Sequence, residues 1–196
     1  MQHLRPALVL VALFTLLTGL AFPLAMTGVA TALVPDRANG ALLERDGKTV
    51  GSALIGQTFT SDRYFHPRPS ATTATDPADA SKTVPAPYNA SGSNGSNLGP
   101  TSKALIDRVA DDVAAGGAKP VPADAVTTSA SGLDPDISPD NAARQVARVA
   151  AARKLPEERL RGLLAENTQP RFLGLFGERR INVLTLNVAL DALVPQ

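Results

Sequence analysis

Ser129 to Arg153 reads SASGLDPDISPDNAARQVARVAAAR, and here residue types and spacing come closest to chemistry. Ser131 stands beside a glycine, aspartates follow at 134 and 136, and a helical pattern starts directly after them. Three readings compete. A nucleophilic serine needs a base within hydrogen-bond reach and a third group to orient that base. His66 is the only histidine beyond the N-terminal segment, so the candidate triad is Ser131, His66 and Asp134, without the Gly-x-Ser-x-Gly elbow of a hydrolase. A calcium loop opens Asp-x-Asp-x-Ser, as Asp134, Asp136 and Ser138 do, but requires glycine sixth and glutamate twelfth. Pro139 and Gln145 stand at those positions. The third reading is a capped helix start. Ser138 suits an N-cap, Pro139 suits the first turn, and Asp140 complements the positive helix end, with Asp134-Pro135 as a stiff turn before them. The cap accounts for these residues better than either site.

The rest of the chain supplies little else for chemistry. Nineteen basic and eighteen acidic residues nearly cancel, which argues against a nucleic-acid partner. The absence of cysteine excludes disulfides, thiolate metal sites and thiol nucleophiles, and no histidine cluster offers another metal site. Aromatics at 4% are too few for a base-stacking surface. Asp46-Gly47-Lys48-Thr49 has nucleotide-motif letters without the flanking glycines of a phosphate loop, so it reads as a turn.

The elements that must position these residues begin with an anchor. No charge occurs between Arg5 and Asp36, and Ala7 to Val34 is apolar throughout. At ~1.5 Å per residue this helix would reach ~42 Å, enough to cross ~30 Å of hydrocarbon with tilt. Ala30-Thr31-Ala32 has the form of a signal cleavage site, yet the apolar run is about twice the usual signal length of ~7–15 residues. The expected organisation is a cytoplasmic N-terminus over 1–6, a transmembrane helix over 7–34, and an extracytoplasmic domain over 35–196.

Within that domain, Ala41–Arg45 and Thr49–Ile55 read as a hairpin about Asp46-Gly47. His66 to Pro100 has the composition of a linker or mobile loop, while Arg68-Pro69-Ser70 after the aromatic pair Tyr64-Phe65, and Tyr88 ahead of a Gly-Ser-Asn cluster, argue for partial order. Thr101 to Ala115 reads as a helix with Leu105, Ile106, Val109 and Val113 on one stripe, capped by Thr101 or Ser102 and ended by Gly116-Gly117. Val121–Thr128 reads as a strand, Pro139 to Arg153 or Lys154 as a second helix, and a third helix starts with Pro156 at its first position. Ile181–Val188 reads as a buried strand. The class is α+β, with about three helices on a small sheet and one N-terminal transmembrane helix.

Several pieces in this order resemble a family, the C subunit of the Kdp potassium-transporting ATPase. They are an N-terminal anchor, Gly51-Ser52-Ala53-Leu54-Ile55-Gly56-Gln57, Tyr64-Phe65-His66-Pro67-Arg68-Pro69-Ser70, and Ser96-Asn97-Leu98-Gly99-Pro100. Ser129-Ala130-Ser131-Gly132-Leu133-Asp134-Pro135, Gln145-Val146-x-Arg148-Val149-Ala150 and Asn182-Val183-Leu184-x-Leu186-Asn187 complete them. Thr72 to Pro87 is looser, and Pro67 stands where the family usually has glycine.

The resemblance implies a bacterial inner-membrane accessory subunit of an ATP-driven potassium importer. Its implied partners are a channel-like subunit, a P-type ATPase subunit, a small single-helix subunit and membrane lipid. It implies no catalytic residue in this chain: ATP and potassium are handled by the complex. The family is described as a catalytic chaperone that raises the ATP affinity of the ATPase subunit, in one view through a ternary complex with nucleotide. On this reading Arg68, Pro69, Ser70, Ser96, Asn97, Ser131, Gly132, Leu133, Asp134, Pro135, Gln145 and Arg148 are candidate interaction or structural residues. The alternatives are an exported, membrane-anchored hydrolase and a free-standing binding domain.

Overall fold

The computed structural model describes residues 2–115 and 120–193. The chain divides into two compact units, one through Ser52 and one from Ala53.

The first unit is dominated by helix α1, Leu4–Leu33, with a mean hydropathy of 2.4 and no buried side chain. It is long and apolar enough to cross a membrane. Its middle widens into a π-turn over Leu17–Ala21, where Phe22 N–H donates to Leu17 O. Pro23 lies directly beyond, and the extra residue in that turn relieves the clash its ring would make in a regular helix. After a single helical turn at Pro35–Ala38, β1 (Leu42–Arg45) pairs antiparallel with β2 (Lys48–Ser52). Asp46 and Gly47 both take positive φ, 52° and 73°, as a two-residue hairpin turn requires. The expected hairpin is present, with its second strand ending at Ser52.

In the second unit the core lies among three helices: α3 (Pro139–Arg153), α4 (Glu157–Asn167) and α5 (Val183–Ala192). Helix α2 (Lys103–Ala115) precedes them in the chain and buries none of its side chains. Ala142, Val146, Val149 and Ala150 form one stripe of α3, facing Leu160, Leu163 and Leu164 of α4 and Val183, Leu186 and Leu190 of α5. Phe65, fully buried, inserts into this core from the segment ahead of the helices. The α+β class holds.

The single small sheet expected from sequence is instead three separate two-stranded ladders: β1–β2, β3–β4 (Thr73–Asp76 with Asp79–Pro85) and β5–β6 (Asp136–Ile137 with Ile181–Asn182). The stretch 66–100 carries the order that its aromatic and turn residues argue for. It contains the β3–β4 hairpin, and side chain-to-backbone hydrogen bonds from Ser70, Thr72 and Asn89 organise its flanks without apolar periodicity. Val121–Thr128 is not a strand: a short 3₁₀ turn at Ala123–Ala125 follows Pro122, which has no N–H to give a ladder.

Ile181–Val188 is a strand for its first two residues only. Asn182 then caps α5, its Oδ1 accepting from Thr185 N–H at 3.1 Å. Val183, Leu186, Asn187 and Leu190 follow at helical spacing, all buried. A short run apolar on every side suits either element, and the cap decides. Pro156 is the N-cap of α4, one position ahead of the place expected for it. The expected stop at Gly116-Gly117 lies outside the described residues.

Candidate functional site

The serine cap at Ser138 is present: its Oγ accepts from Asn141 N–H at 3.0 Å. Asp124 holds the cap from the other side, accepting from Ser138 N–H and Oγ–H, both at 2.8 Å, and from the Asn141 amide at 3.0 Å. Burial pushes the Asp124 carboxyl up, but these donors outweigh it and hold the group below the usual carboxylate range.

Upstream of the cap, Ser131–Pro135 forms a bend whose backbone is held by residues distant in sequence. Ser131 O accepts from Asn94 N–H and Ser93 Oγ, each at 3.0 Å, and Leu133 O accepts from Gly56 N–H at 2.8 Å. Gly132 O accepts from Ser70 Oγ at 2.7 Å, and Pro135 O from Val183 N–H at 2.9 Å. Gly132 is buried at φ +67°, and a Cβ there would lie 2.5 Å from Thr72 Cγ2 and 2.6 Å from Asn94 O. Only glycine fits.

Asp134 accepts from Arg68 Nη1 at 2.8 Å and from Asp136 N–H at 3.0 Å. Tyr88, its phenol pushed up by burial and by nearby Asp134 against the pull of Arg68, donates to Arg68 O at 2.6 Å. Pro69, half-buried, joins this pair to Ser70. Ser96 is half-buried, and exposed Asn97 takes φ 53° and donates to Asn94 Oδ1 at 3.5 Å.

Gln145 and Arg148 project from α3 onto a different segment, residues 62–66. Gln145 Oε1 accepts from His66 N–H at 2.7 Å, while its Nε2 donates to His66 O at 3.1 Å. Asn187 on α5 repeats the arrangement one residue earlier, accepting from Phe65 N–H and donating to Phe65 O, both at 2.9 Å. Arg148 donates to Asp62 O and Tyr64 O at 2.8 and 3.0 Å, and Arg153 donates to Arg63 O at 2.6 Å. Five consecutive carbonyls, Asp62 to His66, therefore accept from helix side chains. Arg153 also pairs with Asp191 at 2.6 Å and lies 4.7 Å over the Tyr64 ring. The sequence marks Gln145, Arg148 and Tyr88, whereas Arg153, Asp191, Asp124 and Thr72 carry no comparable signal.

These partners argue against the candidate chemistries. The His66 ring contacts Ser61 O at 3.0 Å, and burial pushes its pKa below the ordinary value. It borders a cleft of about 280 Å³ with Asn141, Arg144, Gln145 and Arg148. Ser131 lines a different depression, with Arg68, Thr128 and Asp134, and its Oγ accepts from Leu133 N–H. Ser131, His66 and Asp134 are thus not brought together as a triad. Asp134 faces Arg68 and Asp136 faces Arg180 at 3.0 Å, so the two carboxylates do not converge on a cation. Among the described residues no group of three or more histidines, cysteines, aspartates or glutamates could hold a metal ion.

The family model KdpC, described as K+-transporting ATPase, c chain, matches residues 4–192. A Potassium-transporting ATPase KdpC subunit of Methylobacterium nodulans is 67% identical over 197 residues, covering 98% of both chains. Proteins of the same description from Rhodopseudomonas palustris and Bradyrhizobium diazoefficiens are 63% and 61% identical, covering 98% and 97% of both chains.

Proposed function

Since the chain belongs to the KdpC family of potassium-transporting ATPase subunits, we propose that it is a non-catalytic accessory subunit acting through docking. In this reading α1 is a retained anchor in the bacterial inner membrane, with the N-terminus cytoplasmic and residues 35–196 outside. The helix packs against the large subunits of the complex, and the outer domain sits over the channel-like subunit, stabilising assembly and shaping ion access.

One observation carries the reading: the polar side chains that could have formed an active site hold the fold instead. Arg68, Ser70, Asp134, Gln145 and Arg148 all have partners within the domain. Ser131, Gly132, Leu133 and Pro135 are a rigid bend whose buried Gly132 shapes it, and Ser131 and Leu133 with Arg68, Pro69, Ser70, Ser96 and Asn97 offer the surface for contact with a partner. The accessory subunit raises the ATP affinity of the ATPase subunit without touching nucleotide. With the folded domain outside and ATP inside, such an effect must arise from binding one state of the complex better than another. A tenfold gain in affinity needs about 1.4 kcal/mol of preference.

The test is co-purification. The C-terminally tagged chain, expressed under low potassium and gently solubilised, should recover a P-type ATPase subunit and a channel-like subunit in stoichiometric amounts. A chain truncated after the anchor should then show weakened assembly or a weakened ATP response. Recovery of the chain alone, or full assembly and potassium affinity without the outer domain, would overturn the proposal.

A further inference from the structure

Between α4 and β6 the chain projects a narrow tip whose side chains have no place in the core. Phe172, Leu173, Leu175 and Phe176 are 68%, 78%, 71% and 59% exposed. Four large apolar side chains on one short loop form a concentrated patch, unlike scattered surface leucines.

The backbone beneath them is a tight turn held by a few of its own hydrogen bonds. Phe172 and Phe176 exchange both N–H to O bonds at 2.9 Å, and Gln169 and Arg180 do the same at 2.8 and 3.2 Å. Gly174 N–H donates to Arg171 O and Leu175 N–H to Phe172 O. These bonds fix the turn that presents the four side chains, at the depth of the headgroups where the remaining main-chain groups still meet water and phosphate. Leu173 sits at φ 54° ahead of Gly174 at φ 73°. A leucine in the left-handed region is disfavoured, and an exposed side chain returns nothing to the core for it. Asparagine or glycine would make the same turn without that cost.

The base of the tip is basic. Arg171 pairs with Glu178 at 2.5 Å and Arg180 with Asp136 at 3.0 Å, while Arg179 has no carboxylate partner among the described residues. Apolar side chains at the end and arginines behind them match the layering of a bilayer surface, acyl chains first and phosphates next. The connection from α1, residues 34–52, spans no more than about 65 Å fully extended, so an anchored domain stays tethered near that surface.

We infer that residues 172–176 are a membrane-contact tip, which seats Phe172, Leu173, Leu175 and Phe176 at the phospholipid headgroup–acyl boundary with Arg179 directed to lipid phosphates. This rests on the reading that α1 is a retained anchor. Seating the tip would give the outer domain a second point of attachment and limit its tilt over the complex.

The absence of cysteine makes the test direct. The full chain carrying Leu173→Cys, labelled with an environment-sensitive fluorophore, is reconstituted into phosphatidylcholine–phosphatidylglycerol vesicles. Ala78→Cys, on the exposed β3–β4 turn, serves as the comparison. The expected result is a blue-shifted Leu173 probe, quenched by spin-labelled lipid and shielded from aqueous iodide, with the Ala78 probe showing the reverse. Equal iodide quenching at both sites, with the chain still floating with the vesicles, would overturn the tip while leaving the anchor intact. Shielding of the Leu173 probe from both quenchers would assign the tip to a protein surface and overturn the lipid assignment. A chain that fails to float with vesicles removes the anchor, and the tip proposal falls with it.

Discussion

Gln145 and Asn187 each do with one side-chain amide what a neighbouring strand does with a peptide group: they donate and accept at the same residue. Gln145→Leu keeps similar bulk but strands the N–H and C=O of His66 and removes an acceptor from Arg148. Each buried polar group left without a partner costs about 1–3 kcal/mol. The variant should therefore melt well below the parent chain in detergent, followed by circular dichroism, and Asn187→Leu should behave alike. A parental melting temperature with lost ATP response would instead make Gln145 a functional contact. Asp124 adds a pH dependence. Its folded pKa lies below its unfolded one, so the unfolded state binds the proton first as pH falls. Its contribution is complete above the ordinary carboxylate range and is lost as pH drops through the depressed folded value. Asp124→Asn should flatten this part of the acid-unfolding curve, and an unchanged acid limb would show that the cap does not titrate.

At the scale of elements, α3 and α5 are joined by a near-buried ion pair. The Arg153 side chain is 3% exposed and that of Asp191 15%. Removing one partner of such a pair costs about 3–5 kcal/mol, because the other charge stays behind. Arg153→Met is expected to lose stability on that scale in urea titrations of the full chain. Arg153→Lys should not restore it, since one ammonium cannot reproduce a fork that reaches Arg63 O and Asp191 together. A shift under 1 kcal/mol would mean the pair is better solvated than its burial implies.

What the sequence disclosed follows the range of each interaction. The start of α3 was legible because Ser138, Pro139 and Asp140 act within one turn, and the β1–β2 turn because Asp46-Gly47 needs only its own backbone. The residues 62–66 segment was not, because its donors stand as far as 122 positions away and an interior glutamine or asparagine announces no partner. Helix α5 was misread for a related reason: Ile181–Val188 is apolar on every side, so periodicity was silent and only the Asn182 cap distinguished helix from strand. The exposure of the 172–176 tip was not legible either. Exposure is a property of the fold, and no local pattern carries it.

For the whole molecule, the proposed arrangement requires a domain outside the membrane to act on nucleotide affinity inside only through coupling. If the outer domain prefers the ATP-bound state of the complex, linkage makes the preference mutual. Whatever factor this subunit adds to ATP affinity, bound ATP must add to the affinity of the complex for this subunit. The prediction is measurable without turnover. In detergent, with a labelled subunit displaced by unlabelled copies, a non-hydrolysable ATP analogue should tighten binding of the subunit by the same factor that the subunit tightens binding of the analogue. A tenfold effect in one direction demands tenfold in the other, or about 1.4 kcal/mol. An analogue that leaves the subunit's binding unchanged, while the subunit still raises equilibrium ATP affinity, would break the cycle and show that the two measurements sample different assemblies. Loss of both effects on truncating the chain after the anchor would locate the preference in the folded domain. Their survival would place it in α1, none of whose side chains is buried within this chain.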